Sequence, residues 1–279
     1  MPYTTTDDGV ALHWRETGSG APVLFVHEFG GDSRSWRPQI AHFARRHRCL
    51  VHDARGYPPS GVPTDPGAYS QDRAVADAVA VLDAAGVDTA HVVGNSMGGF
   101  CALHLCLRHP ERVRSAVVAG CGYGAHPDVA AQARAAFLAL ADRYRDEGAA
   151  AVTADYGHSP ARQPLREKDP DGHAEHLRVL AEHDRVGAAL TLRGVQAARP
   201  SLYGLRAELA AVRVPVLLVV GDRDDDALDA TLMLRRTIPG ARLAVLPNSG
   251  HLTNLEEPAL FNALVEAFHA DVAAGRFRP

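Results

Sequence analysis

A serine occupies the centre of a glycine-rich segment, residues 94–99, which reads Gly-Asn-Ser-Met-Gly-Gly. An apolar stretch typical of a strand precedes it and a stretch with helical spacing follows, which is the context of a turn that presents a nucleophilic serine. Gly94 and Gly98 keep the neighbours of such a strained turn small, and the helix N-terminus directs partial positive charge toward it. A glycine-rich turn without chemistry is the alternative. The context favours Ser96 as a nucleophile and the Met97 N–H as a donor to a developing oxyanion.

A second glycine-containing segment, residues 27–31, reads His-Glu-Phe-Gly-Gly and directly follows the apolar stretch 22–26. A loop of this kind can supply a second backbone N–H to an oxyanion, and the Phe29 N–H is the candidate. Taken alone, a glycine-rich turn explains the segment equally well. We interpret His27 as structural rather than as a proton carrier. Glu28, His27 and Asn95 are candidates for contacts with the substrate or with the catalytic residues.

A histidine near the C-terminus, His251, is the candidate base for this serine. A serine hydroxyl is a weak nucleophile at its ordinary pKa and needs an adjacent base that titrates near neutrality. His251 ends the sequence Pro-Asn-Ser-Gly-His directly after the last predicted strand, where a surface loop histidine is the alternative. Because Ser96 is present, we predict that His251 accepts the serine proton.

The acid that would orient this histidine belongs to a cluster of four aspartates in residues 222–226, directly after the apolar stretch 214–220. An acid at this point gives the chain order Ser, Asp, His, which is one known order of such triads. The residues alone leave the choice open, because Asp222 could hydrogen-bond the turn and Asp225 and Asp226 could be solvated. The segment after the predicted strand 115–119 holds no carboxylate and offers no rival acid.

Alternating strands and helices are predicted to position these residues. A hairpin is predicted over residues 4–14. The predicted strands cover residues 22–26, 49–52, 91–93, 115–119, 214–220 and 241–246, and the predicted helices cover residues 36–46, 73–85, 97–108, 229–237 and 258–273. This alternation predicts a mainly parallel sheet. Residues 122–206 lack clear strands, and their helical stretches, 130–145 and 172–183, predict a lid over the carboxyl edge of the sheet.

Composition and charge argue against several classes of partner. The chain has 279 residues with 29 Lys and Arg against 33 Asp and Glu, so it lacks the basic footprint of a nucleic-acid-binding protein. Its apolar runs are shorter than the ~20 residues of a membrane span, and residues 1–10 show no signal-peptide pattern. The four cysteines lack CxxC spacing and are expected to be buried free thiols. We expect a cytoplasmic protein with a small-molecule substrate, no cofactor and no metal, and the oligomeric state stays open.

Taken together, these motifs resemble the α/β-hydrolase superfamily over nearly the whole chain. The resemblance rests on residues 27–31, 53–56 (Asp-Ala-Arg-Gly), 94–99, 221–224 (Gly-Asp-Arg-Asp) and 250–251 (Gly-His), in that order. It implies the α/β-hydrolase fold, a mostly parallel eight-stranded sheet flanked by helices, with an antiparallel second strand and a helical cap inserted after the sixth. The implied domains are a core of residues 1–121 and 207–279 and a cap of residues 122–206. In relatives of this pattern the last residue of Gly-Asp-x-Asp is the triad acid, which implies Asp224.

Two positions depart from the pattern of this superfamily. The first loop usually reads His-Gly-x-x-Gly, whereas here the second residue is Glu28. A carboxylate that faces an oxyanion hole would oppose the negative charge that forms there. The alternatives are a solvent-facing side chain or one that positions a substrate group or a water. In residues 53–60, Asp-Ala-Arg-Gly-Tyr-Pro-Pro-Ser, a proline replaces a glycine and stiffens the loop.

The resemblance also narrows the chemistry. A serine at position 96 argues against haloalkane dehalogenases and epoxide hydrolases, whose relatives carry an aspartate there. Residues 95–99 are also similar to the same turn of meta-cleavage-product hydrolases, which cut carbon–carbon bonds, whereas Leu252, Thr253 and the loop at Glu28 are more similar to carboxylesterases and enol-lactonases. We therefore expect a cofactor-free serine hydrolase that cleaves an ester or lactone through an acyl-enzyme. The alternatives are carbon–carbon bond hydrolysis or perhydrolysis by the same triad, and a ligand-binding member with slow turnover.

Overall fold

The computed structural model describes residues 2–277, and its centre is one eight-stranded sheet. The strands are β1 (Tyr3–Thr5), β2 (Ala11–Thr17), β3 (Ala21–Val26), β4 (His47–His52), β5 (Ala90–Asn95), β6 (Val113–Ala119), β7 (Val216–Gly221) and β8 (Arg242–Leu246). They lie side by side in the order β1-β2-β4-β3-β5-β6-β7-β8. β2 pairs antiparallel with β1 and β4, while the remaining pairs are parallel. This arrangement confirms the predicted α/β-hydrolase fold with its antiparallel second strand.

Helices cover both faces of the sheet. They are α1 (Arg37–Phe43), α2 (Gln71–Ala84), α3 (Met97–Arg108), α4 (Pro127–Glu147), α5 (Ala149–Tyr156), α6 (Gln163–Lys168), α7 (Pro170–Ala181), α8 (Arg185–Thr191), α9 (Arg206–Ala210), α10 (Asp225–Thr237), α11 (Thr253–Glu256) and α12 (Pro258–Ala273). Successive strand residues point to opposite faces, so Leu24 packs in one apolar core with α2, α3 and α10, and Phe25 packs in a second core with α1 and α12. These two cores fix the strands whose carboxyl ends carry the loops of the site.

The differences from the predicted elements lie mainly at their ends. α1 ends at Phe43, three residues before the predicted end, and β4 begins at His47, two residues before its predicted start. The polar residues His47 and Arg48 conceal this start in the sequence. Both nevertheless pair with β3, opposite Ala21 and Pro22, because a neighbouring strand offers their backbone hydrogen-bond partners.

The chain between β6 and β7 contains helices α4 to α9 and a π-helical turn, Leu192–Gln196. These helices share an apolar cluster with the loops at the carboxyl edge of the sheet, where Phe29, Tyr57 and Met97 pack with Tyr144 and Leu192. The helical insertion therefore lies over this edge. The division into a core of residues 1–121 and 207–279 and a cap of residues 122–206 stays a prediction.

Three further observations bear on the classes of function. None of the helices in residues 2–277 combines the length and apolar character that a bilayer crossing needs. The four cysteines are buried and unpaired. In the part of the chain that the structure describes, no group of three or more His, Cys, Asp or Glu side chains is placed to hold a metal ion.

Candidate active site

Ser96 stands in a sharp turn between β5 and α3. Its backbone φ is 52°, a left-handed conformation that costs free energy for a residue with a side chain. A Cβ on Gly94 would lie 2.0 Å from the carbonyl oxygen of Gly98, and a Cβ on Gly98 would lie 2.0 Å from that of Val26. Only glycines fit at these two positions, and the turn they allow places Ser96 in the wall of a cavity.

His251 and Asp224 are joined by a contact of 2.8 Å between Nδ1 of the ring and Oδ2 of the carboxylate. Asp224 follows β7, His251 follows β8, and both side chains are buried. Burial alone would lower the pKa of His251, but the charge and the hydrogen bond of Asp224 raise it above its ordinary value. Both residues line the same cavity as Ser96. The structure therefore brings together a serine, a histidine and a carboxylate.

The other three aspartates of the cluster do not contact this histidine. Asp222 accepts the Ser249 N–H at 3.1 Å and so holds the turn after β8. Asp225 and Asp226 are exposed at the start of α10. Within the cluster, Asp224 is the aspartate in contact with His251, and it is also the one that the resemblance implies.

Glu256 is a site residue that sequence reasoning missed. Its two carboxylate oxygens accept the N–H groups of Gly250 and Leu252 at 2.5 and 2.9 Å. These bonds fix the backbone on both sides of His251. The only sequence signal is an acidic residue soon after the histidine, which is also typical of an ordinary helix start.

The loop of residues 27–31 lies against the N-terminus of α3. A Cβ on Gly98 would approach the carbonyl oxygen of His27 to 2.9 Å. The N–H groups of Phe29 and Met97 donate to no acceptor within residues 2–277, although both residues are buried. Because buried amides are nearly always paired, these two donors beside Ser96 are available for an oxygen of a ligand.

His27 and Asn95 connect the loops around the site. Nε2 of His27 accepts the Ala54 N–H at 3.0 Å, and Nδ1 lies 2.8 Å from the carbonyl oxygen of Glu28. Asn95 donates its side-chain N–H to the carbonyl oxygen of His251 at 3.2 Å. Both side chains thus bind protein backbone, and their contacts position the site rather than reach into the cavity.

Glu28 is buried, so the solvent-facing alternative is wrong. One carboxylate oxygen accepts the Gly30 N–H at 2.5 Å and lies 3.7 Å from the Arg162 guanidinium, and the other lies 4.0 Å from Nδ1 of His176. Burial by itself would raise the pKa of Glu28, but the charge that His176 carries when protonated in acid, the Arg162 guanidinium and the Gly30 N–H hold it below its ordinary value. Glu28 is therefore an ionised carboxylate whose charge is compensated inside the protein.

Arg162 is the counterion of this carboxylate and belongs to the helical insertion. Its guanidinium also donates to the hydroxyl groups of Tyr156 and Ser159 at 2.9 and 3.1 Å. Burial lowers the pKa of His176 to about 4, so this histidine is neutral near pH 7 and Arg162 supplies the balancing charge. The pair joins two distant parts of the sequence, and no local pattern announces it.

A cavity of about 380 Å³ lies between the helical insertion and the carboxyl edge of the sheet. Its wall includes Ser96, Asp224 and His251. The rest of its wall is mostly aromatic and apolar, with two arginines and a second carboxylate, and includes Phe29, Tyr123, Ala136, Phe137, Leu140, Tyr156, Arg162, Arg199 and Asp226. A mostly apolar cavity with a few polar groups on one wall is the usual form of a small-molecule site.

The likeness to known proteins extends along most of the chain. A family model described as the α/β hydrolase fold matches residues 21–258. A putative carbamate hydrolase RutD of Azorhizobium caulinodans is 32% identical over 98% of this chain and 99% of its own length. A 2-hydroxymuconate semialdehyde hydrolase of Pseudomonas putida is 30% identical over 95% of this chain and 93% of its own length.

Solved structures show the same likeness in three dimensions. The enol-lactonase from Burkholderia xenovorans superimposes with a TM-score of 0.82 at 25% identity, which covers 96% of this chain and 100% of that one. A thermophilic esterase from Thermogutta terrifontis has the same fold, with a TM-score of 0.86 at 24% identity over 97% and 98% of the two chains. The family model matches most of the chain, and the similarity to the hydrolases above covers nearly the full length of both chains. This protein is therefore an enzyme that belongs to the α/β-hydrolase family.

Proposed function

We propose that this enzyme is a cofactor-free serine hydrolase that cleaves an ester or lactone through an acyl-enzyme. The proposal rests on one observation: Ser96, in its strained turn, and the His251–Asp224 pair line the same cavity. The likeness to an enol-lactonase supports ester or lactone chemistry. A cavity of about 380 Å³ suits a small-molecule substrate.

In the proposed mechanism, Oγ of Ser96 attacks the carbonyl carbon of the substrate while Nε2 of His251 takes the serine proton. Asp224 holds the proton on Nδ1, which leaves Nε2 as the basic nitrogen, and its charge stabilises the imidazolium. The oxyanion of the tetrahedral intermediate accepts hydrogen bonds from the Phe29 and Met97 N–H groups. The imidazolium then protonates the leaving alkoxide, and the acyl-enzyme forms.

Hydrolysis of the acyl-enzyme repeats these steps with water. His251 takes a proton from the attacking water, and the same two N–H groups stabilise the second oxyanion. When the intermediate collapses, the carboxylic acid leaves and Ser96 regains its proton from His251. No step needs a metal or an organic cofactor.

Carbon–carbon bond hydrolysis is the second candidate. It is favoured by the 30% identity to a 2-hydroxymuconate semialdehyde hydrolase over 95% of the chain. The same serine, histidine and aspartate would carry it. For either reaction we infer a cytoplasmic enzyme, because four buried free cysteines suit a reducing compartment.

Labelling with a fluorophosphonate and assays on one substrate panel test the proposal. The panel holds p-nitrophenyl acetate, a γ-lactone and a dienoate ring-fission product. The variant is Ser96→Ala, and the matched control is Ser19→Ala, at an exposed serine before β3. We expect the control to retain labelling and turnover, and Ser96→Ala to lose labelling and keep only about 10³–10⁴-fold catalysis over water. Labelling of Ser96→Ala would refute the nucleophile, and turnover confined to the dienoate would select the second candidate.

A further inference from the structure

Arg199 is a partly buried cation in the wall of the active-site cavity, between the π-helical turn and α9. Its guanidinium carbon lies 3.6 Å from the centroid of the Phe100 ring and 5.5 Å from that of Phe137. Phe100 follows Ser96 by four residues in α3, a step of about 6 Å along the helix. The cation is thus held against an aromatic ring one helical turn from the proposed nucleophile.

Most hydrogen-bond donors of Arg199 have no acceptor in residues 2–277. Nη2 donates to the carbonyl oxygen of Tyr123 at 2.9 Å, and Nη1 donates to Oε1 of Gln196. A guanidinium has five N–H donors, so several remain for a ligand. No Asp or Glu of the described chain forms an ion pair with it, and burial lowers the pKa of Arg199 to about 10. The side chain is therefore still a cation at neutral pH.

None of the carboxylates in the wall of this cavity forms an ion pair with Arg199. Arg162 is compensated by Glu28, and Asp224 contacts His251 rather than Arg199. Asp226 also lines the cavity, where partial burial raises the pKa of its carboxyl group, and it makes no ion pair with Arg199. Because charges that are taken out of water are normally paired, Arg199 lacks a partner that a bound substrate can supply.

We propose that Arg199 binds a carboxylate of the substrate, so that the enzyme acts on esters or lactones that carry a second, anionic group. This inference rests on the proposed function. A carboxylate matches the planar fork of a guanidinium, which can donate to both of its oxygens. Because Arg199 and Ser96 line one cavity of about 380 Å³, the carboxylate and the scissile carbonyl would belong to one small substrate, as in a half-ester of a short dicarboxylic acid.

Two methyl esters of equal acyl length test the site. The anionic probe is monomethyl glutarate, the neutral probe is methyl pentanoate, and the readout is the ratio of their kcat/KM values from acid release at constant pH. We expect Arg199→Gln to lower this ratio by at least about tenfold, mainly through the KM of the anionic ester, and Arg199→Lys to recover part of the loss. The control Arg206→Gln removes an exposed guanidinium that stacks on Tyr203 outside the cavity, and it should leave the ratio unchanged.

A purely structural role for Arg199 predicts a different result. Arg199→Gln would then slow both esters equally, and the ratio would stay at the wild-type value, which would overturn the proposal. Inhibition of the unaltered enzyme is a second test that does not depend on the folding of a variant. Glutarate should inhibit hydrolysis of methyl pentanoate at least about tenfold better than glutaramide does, and equal inhibition would also overturn the proposal. Failure of the proposed function is distinguishable, because Ser96→Ala would then still hydrolyse both esters.

Discussion

Replacing Glu28 by Gln removes one charge from a buried ion pair while it keeps the shape of the side chain. The carboxylate lies 3.7 Å from Arg162, and both side chains are 4% exposed. An amide oxygen can still accept the Gly30 N–H, but Arg162 would be left as an uncompensated buried cation in the helical insertion, since His176 is neutral. We therefore expect Glu28→Gln to destabilise the folded protein.

The size of this loss follows from the distance and the burial. Two unit charges about 4 Å apart attract each other by about 4 kcal/mol at an effective dielectric constant near 20. Removal of one partner from a buried pair typically costs about 3–5 kcal/mol. Arg162 keeps its bonds to the hydroxyl groups of Tyr156 and Ser159, so the lower end applies. We expect Glu28→Gln to lower the free energy of unfolding by about 3 kcal/mol, or Tm by roughly 6–12 °C.

Urea denaturation of Glu28→Gln, Arg162→Met and the double variant measures the coupling between the two side chains. Each single variant leaves a buried charge without its partner and the double variant leaves none, so the double variant should lose about 2 kcal/mol less than the sum. Glu175→Gln is the matched control, because its ion pairs with Arg37 and Arg178 are exposed, and it should cost less than about 1 kcal/mol. Losses that add within about 0.5 kcal/mol would refute the ion pair.

The same two single variants should move the pH profile of catalysis in opposite directions. Burial lowers the pKa of His251, but the charge and the hydrogen bond of Asp224 more than offset this effect. Arg162 also lowers the pKa of His251, whereas Glu28 raises it. Because the proposed base His251 can accept a proton only when it is neutral, kcat/KM should fall as the pH drops through this pKa. Glu28→Gln should shift the acidic limb to lower pH, and Arg162→Met should shift it to higher pH. Superimposable limbs would leave the pair without an electrostatic role in the chemistry.

Two further predictions concern the proposed triad and the turn that holds Ser96. Asp224→Asn should lower kcat for an ester by about 10⁴-fold, because an amide no longer fixes the tautomer of the histidine. Asp225→Asn, at an exposed position, should retain the wild-type kcat, and equal losses would contradict the assignment of the acid. Gly98→Ala should lower the free energy of unfolding by more than about 2 kcal/mol, since its Cβ would lie 2.0 Å from the Val26 carbonyl oxygen. Gly67→Ala, whose Cβ meets nothing closer than 3.4 Å, should cost far less in urea denaturation, and similar losses would contradict the steric argument.

Sequence patterns predicted the fold best where local spacing and tertiary packing agree. α3 and α12 keep their predicted bounds, Met97–Arg108 and Pro258–Ala273, because apolar residues recur at helical spacing after clear start signals. A strained serine precedes α3, and a proline begins α12. β4 shows the opposite case, since pairing with β3 rather than residue type decides where the strand starts.

The residues of the candidate site also differ in whether local sequence patterns predict them. Ser96 could be predicted because two glycines, a strand and a helix define its turn within a few residues. His251 and Asp224 could be predicted from their places after strands and from the resemblance. The ion pair of Glu28 with the helical insertion and the position of Arg199 could not be predicted, because the insertion carries no motif that encodes which loops it covers.

A carboxylate beside the proposed oxyanion hole needs a physical explanation, because it would oppose the negative charge that develops there. Glu28 accepts the N–H of Gly30 and not that of Phe29, so the donor proposed for the oxyanion stays free. Arg162 supplies the opposite charge from the helical insertion, and the pair adds no net charge to the cavity wall. The charge on the loop that carries the proposed oxyanion donor is therefore balanced by a residue of the helical insertion. We therefore expect the position of the insertion to influence the electrostatics of the proposed reaction, through the opposite effects of Arg162 and Glu28 on the pKa of His251.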